Sequence, residues 1–125
     1  MVKLVYCVRR RDDVDAHDFH RYWLENHGPL VRGVADALRA VKYVQSHTID
    51  TGVNEALRQS RGLAPAFDGI TEVWWDRLED LEEATTTTEG REAARRLLED
   101  ESNFIDFSGS ALFMTEEFTI FDVGA

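Results

Sequence analysis

Four short segments of this chain carry β-branched and aromatic residues at every second position, and helical periodicities lie between the first and second and between the third and fourth. Val2 to Val8 sets Val2, Leu4, Tyr6 and Val8 on one face against Val5 and Cys7 on the other. Val41 to Ile49, Ile70 to Trp75 and Leu112 to Phe121 supply the remaining strands. The order of elements is β-α-β-β-α-β, and 125 residues are enough for one such domain, spanning 1–125, and no more.

That order predicts an α+β fold, a ferredoxin-like sandwich in which an antiparallel sheet carries its helices on one face. The first helix starts near Asp15 and lines up Phe19, Tyr22, Trp23, Asn26 and Leu30. Gly28-Pro29 interrupts it, because proline cannot continue a helix but can open a new one, so a second segment runs from about Pro29 to Leu38. Asp50 to Asp68 is a long connection with a helical stretch from Asn54 to Gln59. Val53, Ala56 and Leu57 suit it to dock across a pocket mouth or a dimer edge. Asp76 with Glu79 and Thr86 with Glu89 read as capping boxes framing a bent helical region from Leu78 to Glu99.

A sheet covered by helices on one face should be polar on the other. Here one set of positions offers Leu4, Tyr6, Val8, Val41, Tyr43, Ile70, Trp74, Leu112, Met114 and Phe118. The alternate set still offers Val5, Cys7, Val44, Val73, Trp75, Phe113 and Phe121. Two apolar faces with helices for one leave a large patch uncovered. A two-fold homodimer that packs sheet against sheet closes it, as, in part, would a folded-back C-terminal tail.

Hydrophobic residues at 43% and charged residues at 30% give the balance of a soluble globular domain. A net charge of −10 excludes the basic surface that nucleic acid or an anionic membrane would require. No apolar run reaches membrane-spanning length, and no removable signal segment is expected ahead of the first strand. The lone Cys7 allows no internal disulfide, which fits a reducing, cytoplasmic setting.

Of the four histidines, His27 stands at the helix interruption, at the edge of the stripe that holds Phe19 and Trp23. There an imidazole can face a cavity and act as acid or base near neutral pH, or it can simply cap the interrupted turn. Tyr6, Tyr43 or Glu72 would face it from the sheet if they share the helix side. His47 shares a face with Gln45 and Tyr43, and that face also carries Glu72 and Glu116, so a pocket lining with a His47–Glu72 pair is one expectation and a strand-end rim the other. His17 and His20, three apart, read as a solvated pair, and no metal is assigned. Tyr22, Trp23, Tyr43, Trp74 and Trp75 can stack on a flat ligand or form plain core. There is no phosphate-cradling glycine loop, no Cys-x-x-Cys and no Gly-x-Ser-x-Gly, so no cofactor is expected.

The stretch Phe19-His20-Arg21-Tyr22-Trp23-Leu24-Glu25-Asn26-His27-Gly28-Pro29-Leu30 resembles the signature of the EthD family, a helix bearing Phe and Trp that ends in His-Gly-Pro. The first strand, Asp68-Gly69-Ile70-Thr71-Glu72-Val73-Trp74-Trp75 and the Phe-rich last strand fit the same family. The resemblance implies a dimeric α/β barrel that pairs through its sheets, a pocket between sheet and helices, and His27 as the family's histidine. Related barrels include cofactor-free monooxygenases, polyketide cyclases, lactone isomerases, and dehydratases or decarboxylases of aromatic polyketides.

Three readings follow. One is a small cofactor-independent enzyme, of oxidoreductase, dehydratase, decarboxylase or cyclase type, acting on an aromatic or enolisable molecule. His27 would be catalytic, with Tyr22, Trp23, Tyr43, His47, Glu72 and Trp74 around the substrate. The second is a non-catalytic small-molecule-binding accessory protein with the same pocket. The third, haem ligation by a histidine, is separated from both by an optical spectrum.

Overall fold

The computed structural model describes residues 1–124. Strand β1 (Val2–Val8) is central: β3 (Gly69–Trp75) pairs with one side of it and β4 (Ala111–Thr115) with the other. Strand β2 (Lys42–His47) adds to β3 at the edge. The sheet order is β2-β3-β1-β4 and every pairing is antiparallel. This is the ferredoxin-like arrangement expected from the element order, with helices on one face.

The edge strands are shorter than the alternation predicts. β4 ends at Thr115 because its last partner is Lys3, one residue from the start of β1 at Val2. Phe118 and Phe121 therefore lie beyond the strand and are exposed. β2 ends at His47 opposite Gly69, the first residue of β3.

Helix α1 (Ala16–Tyr22) begins at Asp15, whose side chain accepts from the Asp18 N–H at 2.8 Å. The expected break at Gly28-Pro29 is not a break. Residues Trp23–His27 form a π-helical turn that leads directly into α2 (Gly28–Leu38). Pro29 has no N–H to give the Glu25 carbonyl, and its ring would crowd that group in a regular helix. Widening the turn relieves both problems, and the Gly28 N–H donates instead to the Trp23 carbonyl five residues back. In the wider turn the His27 ring packs against Phe104, with centroids 5.2 Å apart, and is buried, at 5% exposure, rather than at the stripe's edge.

Helix α3 (Gly52–Arg61) lies in the long connection and is capped by Thr51. It buries none of its residues, and Val53 and Leu57 are exposed. It does not cross the pocket mouth. The expected bent helix is two helices, α4 (Leu78–Ala84) and α5 (Thr88–Glu101). Neither capping box forms as read: Arg77 precedes α4 without a side-chain cap, and Thr87, not Thr86, caps α5 by accepting from the Gly90 N–H.

The core of Val8, Phe19, Trp23, Phe104 and Ile105 fills one end of the space between sheet and helices. Gly69 lets this core close. A Cβ there would run into the six-membered ring of Trp23 and come within 2.7 Å of the Ser46 carbonyl oxygen. Only a residue without a Cβ allows the indole to lie directly against β3.

Strand pairing sets which residues share a face. Leu4, Tyr6 and Val8 stand with Tyr43, Gln45, His47, Thr71, Val73, Trp75 and Leu112 on the helix side. Val5, Cys7, Val44, Ile70, Glu72, Trp74 and Phe113 occupy the other. The third strand is thus opposite in phase to expectation: Ile70 and Trp74 exchange faces with Val73 and Trp75. The uncovered face is apolar as expected, with Ile70 and Phe113 exposed.

Candidate functional site

Beyond the core, the sheet and helices stand apart around a cavity of about 1020 Å³. Leu4, Val31, Ala35, Leu38, Val73, Leu97 and Leu98 make most of its wall apolar. The polar groups converge from three elements: Tyr6, Tyr43, Gln45, His47 and Thr71 from the sheet, His27 from the π turn, and Glu101 from the end of α5. A largely apolar chamber with a few convergent polar groups is the usual form of a small-molecule site.

His27 is held at one nitrogen. Its Nδ1 lies 2.7 Å from Asp100 Oδ2, while the Tyr22 hydroxyl donates to Asp100 Oδ1 at 2.5 Å. A carboxylate can only accept, so Nδ1 carries the proton and Nε2 of the neutral ring carries the lone pair. Among the described residues Nε2 has no hydrogen-bond partner, and His27 lines the cavity. Burial depresses the His27 pKa, and Asp100 only partly offsets this. The ring is therefore neutral near pH 7, and its free nitrogen is a base.

Glu101, the residue after Asp100, lines the cavity, and its carboxyl meets the Tyr6 hydroxyl. Burial pushes its pKa up to about 7; the Asp100 charge adds to the rise and the Tyr6 hydroxyl opposes it. Tyr6 and Tyr43 are both held above the usual phenol range, chiefly by burial.

A second chain of hydrogen bonds runs along β2. The Gln45 amide nitrogen donates to the Trp23 carbonyl and to the Tyr43 hydroxyl, each at 2.8 Å. Its oxygen must then accept from His47 Nε2, 2.7 Å away. That leaves His47 Nδ1 as an acceptor, facing His20 Nδ1 at 3.0 Å, so His20 donates. The tautomers of both rings are fixed by the one carbonyl that can only accept. His47 also stacks on Trp23, with ring centroids 4.4 Å apart. Burial lowers both imidazole pKa values. Tyr43, accepting from Gln45, keeps its own proton free to donate.

The residues expected at the site divide. His27, Trp23, Tyr43 and His47 line the cavity. Tyr22 does not: it stands behind Asp100 and lines a separate recess of about 440 Å³. Glu72 and Trp74 lie on the opposite face of the sheet. There Lys3 Nζ meets Glu72 at 2.7 Å and the Trp74 indole N–H donates to Glu117 at 2.6 Å. A His47–Glu72 pair is thus excluded by strand register, since His47 pairs with Gly69 and Glu72 with Val44. His20 is half-buried against His47 rather than solvated beside His17. Asp100 and Glu101 were hidden in the acidic run Glu99-Asp100-Glu101, which reads as a solvated helix end. Helical phase carried the missing signal: Gly90, Ala93, Ala94, Leu97, Leu98 and Glu101 form one stripe at i, i+3, i+4, i+7, i+8 and i+11.

Among the described residues, no group of three or more His, Cys, Asp or Glu is placed to hold a metal ion, and no helix is long and apolar enough to cross a membrane.

The fold is similar to that of an EthD family protein from Bacillus halodurans, with a TM-score of 0.61 at 21% identity over 94% of this chain and 99% of that one. An EthD-like protein from Ralstonia eutropha aligns with a TM-score of 0.61 at 18% identity, over 92% and 89% of the two chains. A dimeric ferredoxin-like protein of unknown function from Thermobifida fusca aligns at 0.56 and 10% identity, over 91% and 88%. No curated sequence matches this chain. The EthD domain model matches residues 11–108, which include the π turn, the Asp100–His27 pair and Glu101, and the chain belongs to the EthD family.

Proposed function

We propose that this protein takes a small aromatic or enolisable carbonyl compound into the cavity between sheet and helices and moves a proton on it without a cofactor, with His27 Nε2 as the base. One observation carries the reading. His27 is buried with Nδ1 clamped to Asp100 at 2.7 Å, and its other nitrogen is left without a protein partner on the wall of an apolar chamber. An imidazole held in one tautomer, with the lone pair toward the ligand, is what general base catalysis requires. As His27 gains a proton, the Asp100 carboxylate balances the new charge. Trp23 and Tyr43 provide flat surface and a hydroxyl donor for the ring and oxygen of the ligand.

The test is solvent deuterium incorporation. Enolisable aromatic ketones are incubated with the protein in D2O and read by mass spectrometry. The wild type is expected to accelerate exchange, and His27→Gln to lose it by about 10²-fold or more. Compounds that bind without exchange in the wild type would favour the non-catalytic accessory reading instead.

The protein is further proposed to act as a homodimer closed through the uncovered sheet face, where Val5, Val44, Ile70 and Phe113 form an apolar surface. Sedimentation at micromolar concentration tests this, with a dimer expected and a monomer overturning it.

A further inference from the structure

We propose that Glu101 is a second proton-transferring group of this cavity, the general acid that complements His27, and that the ligand is an uncharged carbonyl compound whose oxygen takes the Glu101 proton as its α-carbon gives one to His27. The inference rests on the proton-transfer reading above and deepens it.

Glu101 is half-buried on the cavity wall, and among the described residues no lysine or arginine forms an ion pair with it. The groups around it are the Tyr6 hydroxyl on β1, Asp100 on its own helix, and His27 and Tyr43 across the cavity. The cations on the lining, Arg32 and Lys42, are exposed at its margin. Glu101 is also the last residue of α5, at the negative end of the helix dipole, which disfavours a carboxylate. An unpaired carboxyl in such a place keeps its proton to higher pH, and burial raises its pKa to about 7.

A neutral carboxyl here solves a charge problem. Removing a proton from the carbon beside a carbonyl sends the electron pair to oxygen. An enolate would then stand in an apolar chamber where the one new cation, the His27 imidazolium, is already paired with Asp100. In the proposed step the Cα–H bond breaks toward His27 Nε2, the C–O π pair moves to oxygen, and the Glu101 O–H bond breaks to form the enol O–H. The products are a neutral enol, an imidazolium against Asp100, and a Glu101 carboxylate. One positive and one negative charge appear together. A proton passed from His27 to Glu101 through solvent at the cavity mouth restores the starting state, and no oxidant or reductant is needed.

Glu101→Gln keeps the size of the side chain and its hydrogen bond with Tyr6. With 2-tetralone as probe, this variant is expected to slow exchange by about 10²-fold while 2-tetralone binding, followed by tryptophan quenching, stays within about threefold. The wild-type rate should fall as pH rises through about 7, and this alkaline limb should vanish in the variant. Loss of exchange in His27→Gln with full exchange and an unchanged limb in Glu101→Gln overturns the role of Glu101 and leaves the base reading standing. No exchange by the wild type overturns both. Infrared difference spectra of the ligand-free protein give an independent measure: a protonated carboxyl band at pH 6 that Glu101→Gln lacks is expected, and its absence from the wild type overturns the inference whether or not the variant folds.

Discussion

The two faces of one four-stranded sheet carry similar numbers of apolar side chains yet treat polar groups in opposite ways. On the helix side, Tyr6, Tyr43, Gln45, His47 and Glu101 meet in a chamber, where hydrogen bonds fix the imidazole tautomers and burial raises the Glu101 pKa to about 7. On the far side the polar groups are ions in open pairs. Lys3 bonds Glu72 and approaches Glu117, which accepts from Trp74, while Lys42 lies 4.6 Å over the Trp74 ring. Water makes a pair of charges inexpensive on the far side, and its exclusion makes neutral donors and acceptors the stable choice inside. The difference lies in what covers each face, since the strands are the same.

The largest effect that separates the faces is packing. Trp23 is fully buried against Phe19, His47 and Gly69, so Trp23→Ala should cost about 3–5 kcal/mol in urea unfolding. Trp74→Ala, 9% exposed on the far face beside Lys3, Lys42 and Glu117, should cost less, about 1–3 kcal/mol. Equal losses would mean that the far face is as well covered as the near one.

A second break aims at the far face alone. Ile70→Glu with Phe113→Glu puts two charges in its apolar centre. If a second copy covers that surface, the dimer should weaken at least about 100-fold, some 2.7 kcal/mol, while 2-tetralone binding in the near-side chamber persists. Sedimentation across a dilution series reads the first and tryptophan quenching the second. Loss of ligand binding together with the dimer would show that the two faces are coupled.

Much of this contrast is legible in the sequence, and its limits have physical causes. Period-two alternation gives the strands, and the Phe19–Trp23–His27 spacing gives the buried side of the first helix. It cannot give the phase of β3. In Ile70-Thr71-Glu72-Val73-Trp74-Trp75 both faces hold large apolar residues, and only the pairing of Trp75 with Val2 decides between them. That ambiguity placed Glu72 and Trp74 at the site. Gly28-Pro29 signals a stop in any local reading, whereas the fold absorbs proline by moving hydrogen bonds from four residues back to five. Asp100 and Glu101 gain their roles from contacts with Tyr22, His27 and Tyr6, which lie more than 70 residues away along the chain.

The pH dependence of stability sharpens the comparison, because the near face holds groups that pull in opposite directions. His20, His27 and His47 all sit below their ordinary value of 6.5 in the folded protein. Their contribution is complete above that value and is lost as pH falls through the lowered values. Glu101 is raised from 4.5 to about 7, so its contribution is complete below 4.5 and is lost as pH rises through about 7. A shift of this size, discounted for water in the chamber, is worth on the order of 2 kcal/mol. Urea midpoints of the wild type should decline on both sides of a maximum. Glu101→Gln should remove most of the alkaline decline and leave the acidic one. An alkaline decline unchanged in that variant would place its source elsewhere.

The smallest effect belongs to the far-face ions. Lys3 Nζ lies 2.7 Å from Glu72 with side chains 15% and 24% exposed, and the hydrogen bond with Glu72 is the main reason its pKa is raised. A pair so near water contributes about 0.5–1 kcal/mol at low salt. A double-mutant cycle of Lys3→Met with Glu72→Gln should return a coupling in that range, falling as salt rises to 1 M, where screening shortens to about 3 Å. The monomeric Ile70→Glu, Phe113→Glu background gives the reference, because there the pair faces solvent alone. A coupling that is larger and less sensitive to salt in the wild type would mean that a second copy covers this end of the sheet as well as its centre. An identical coupling in both backgrounds would mean that a second copy, where it docks, leaves the Lys3–Glu72 pair open to solvent.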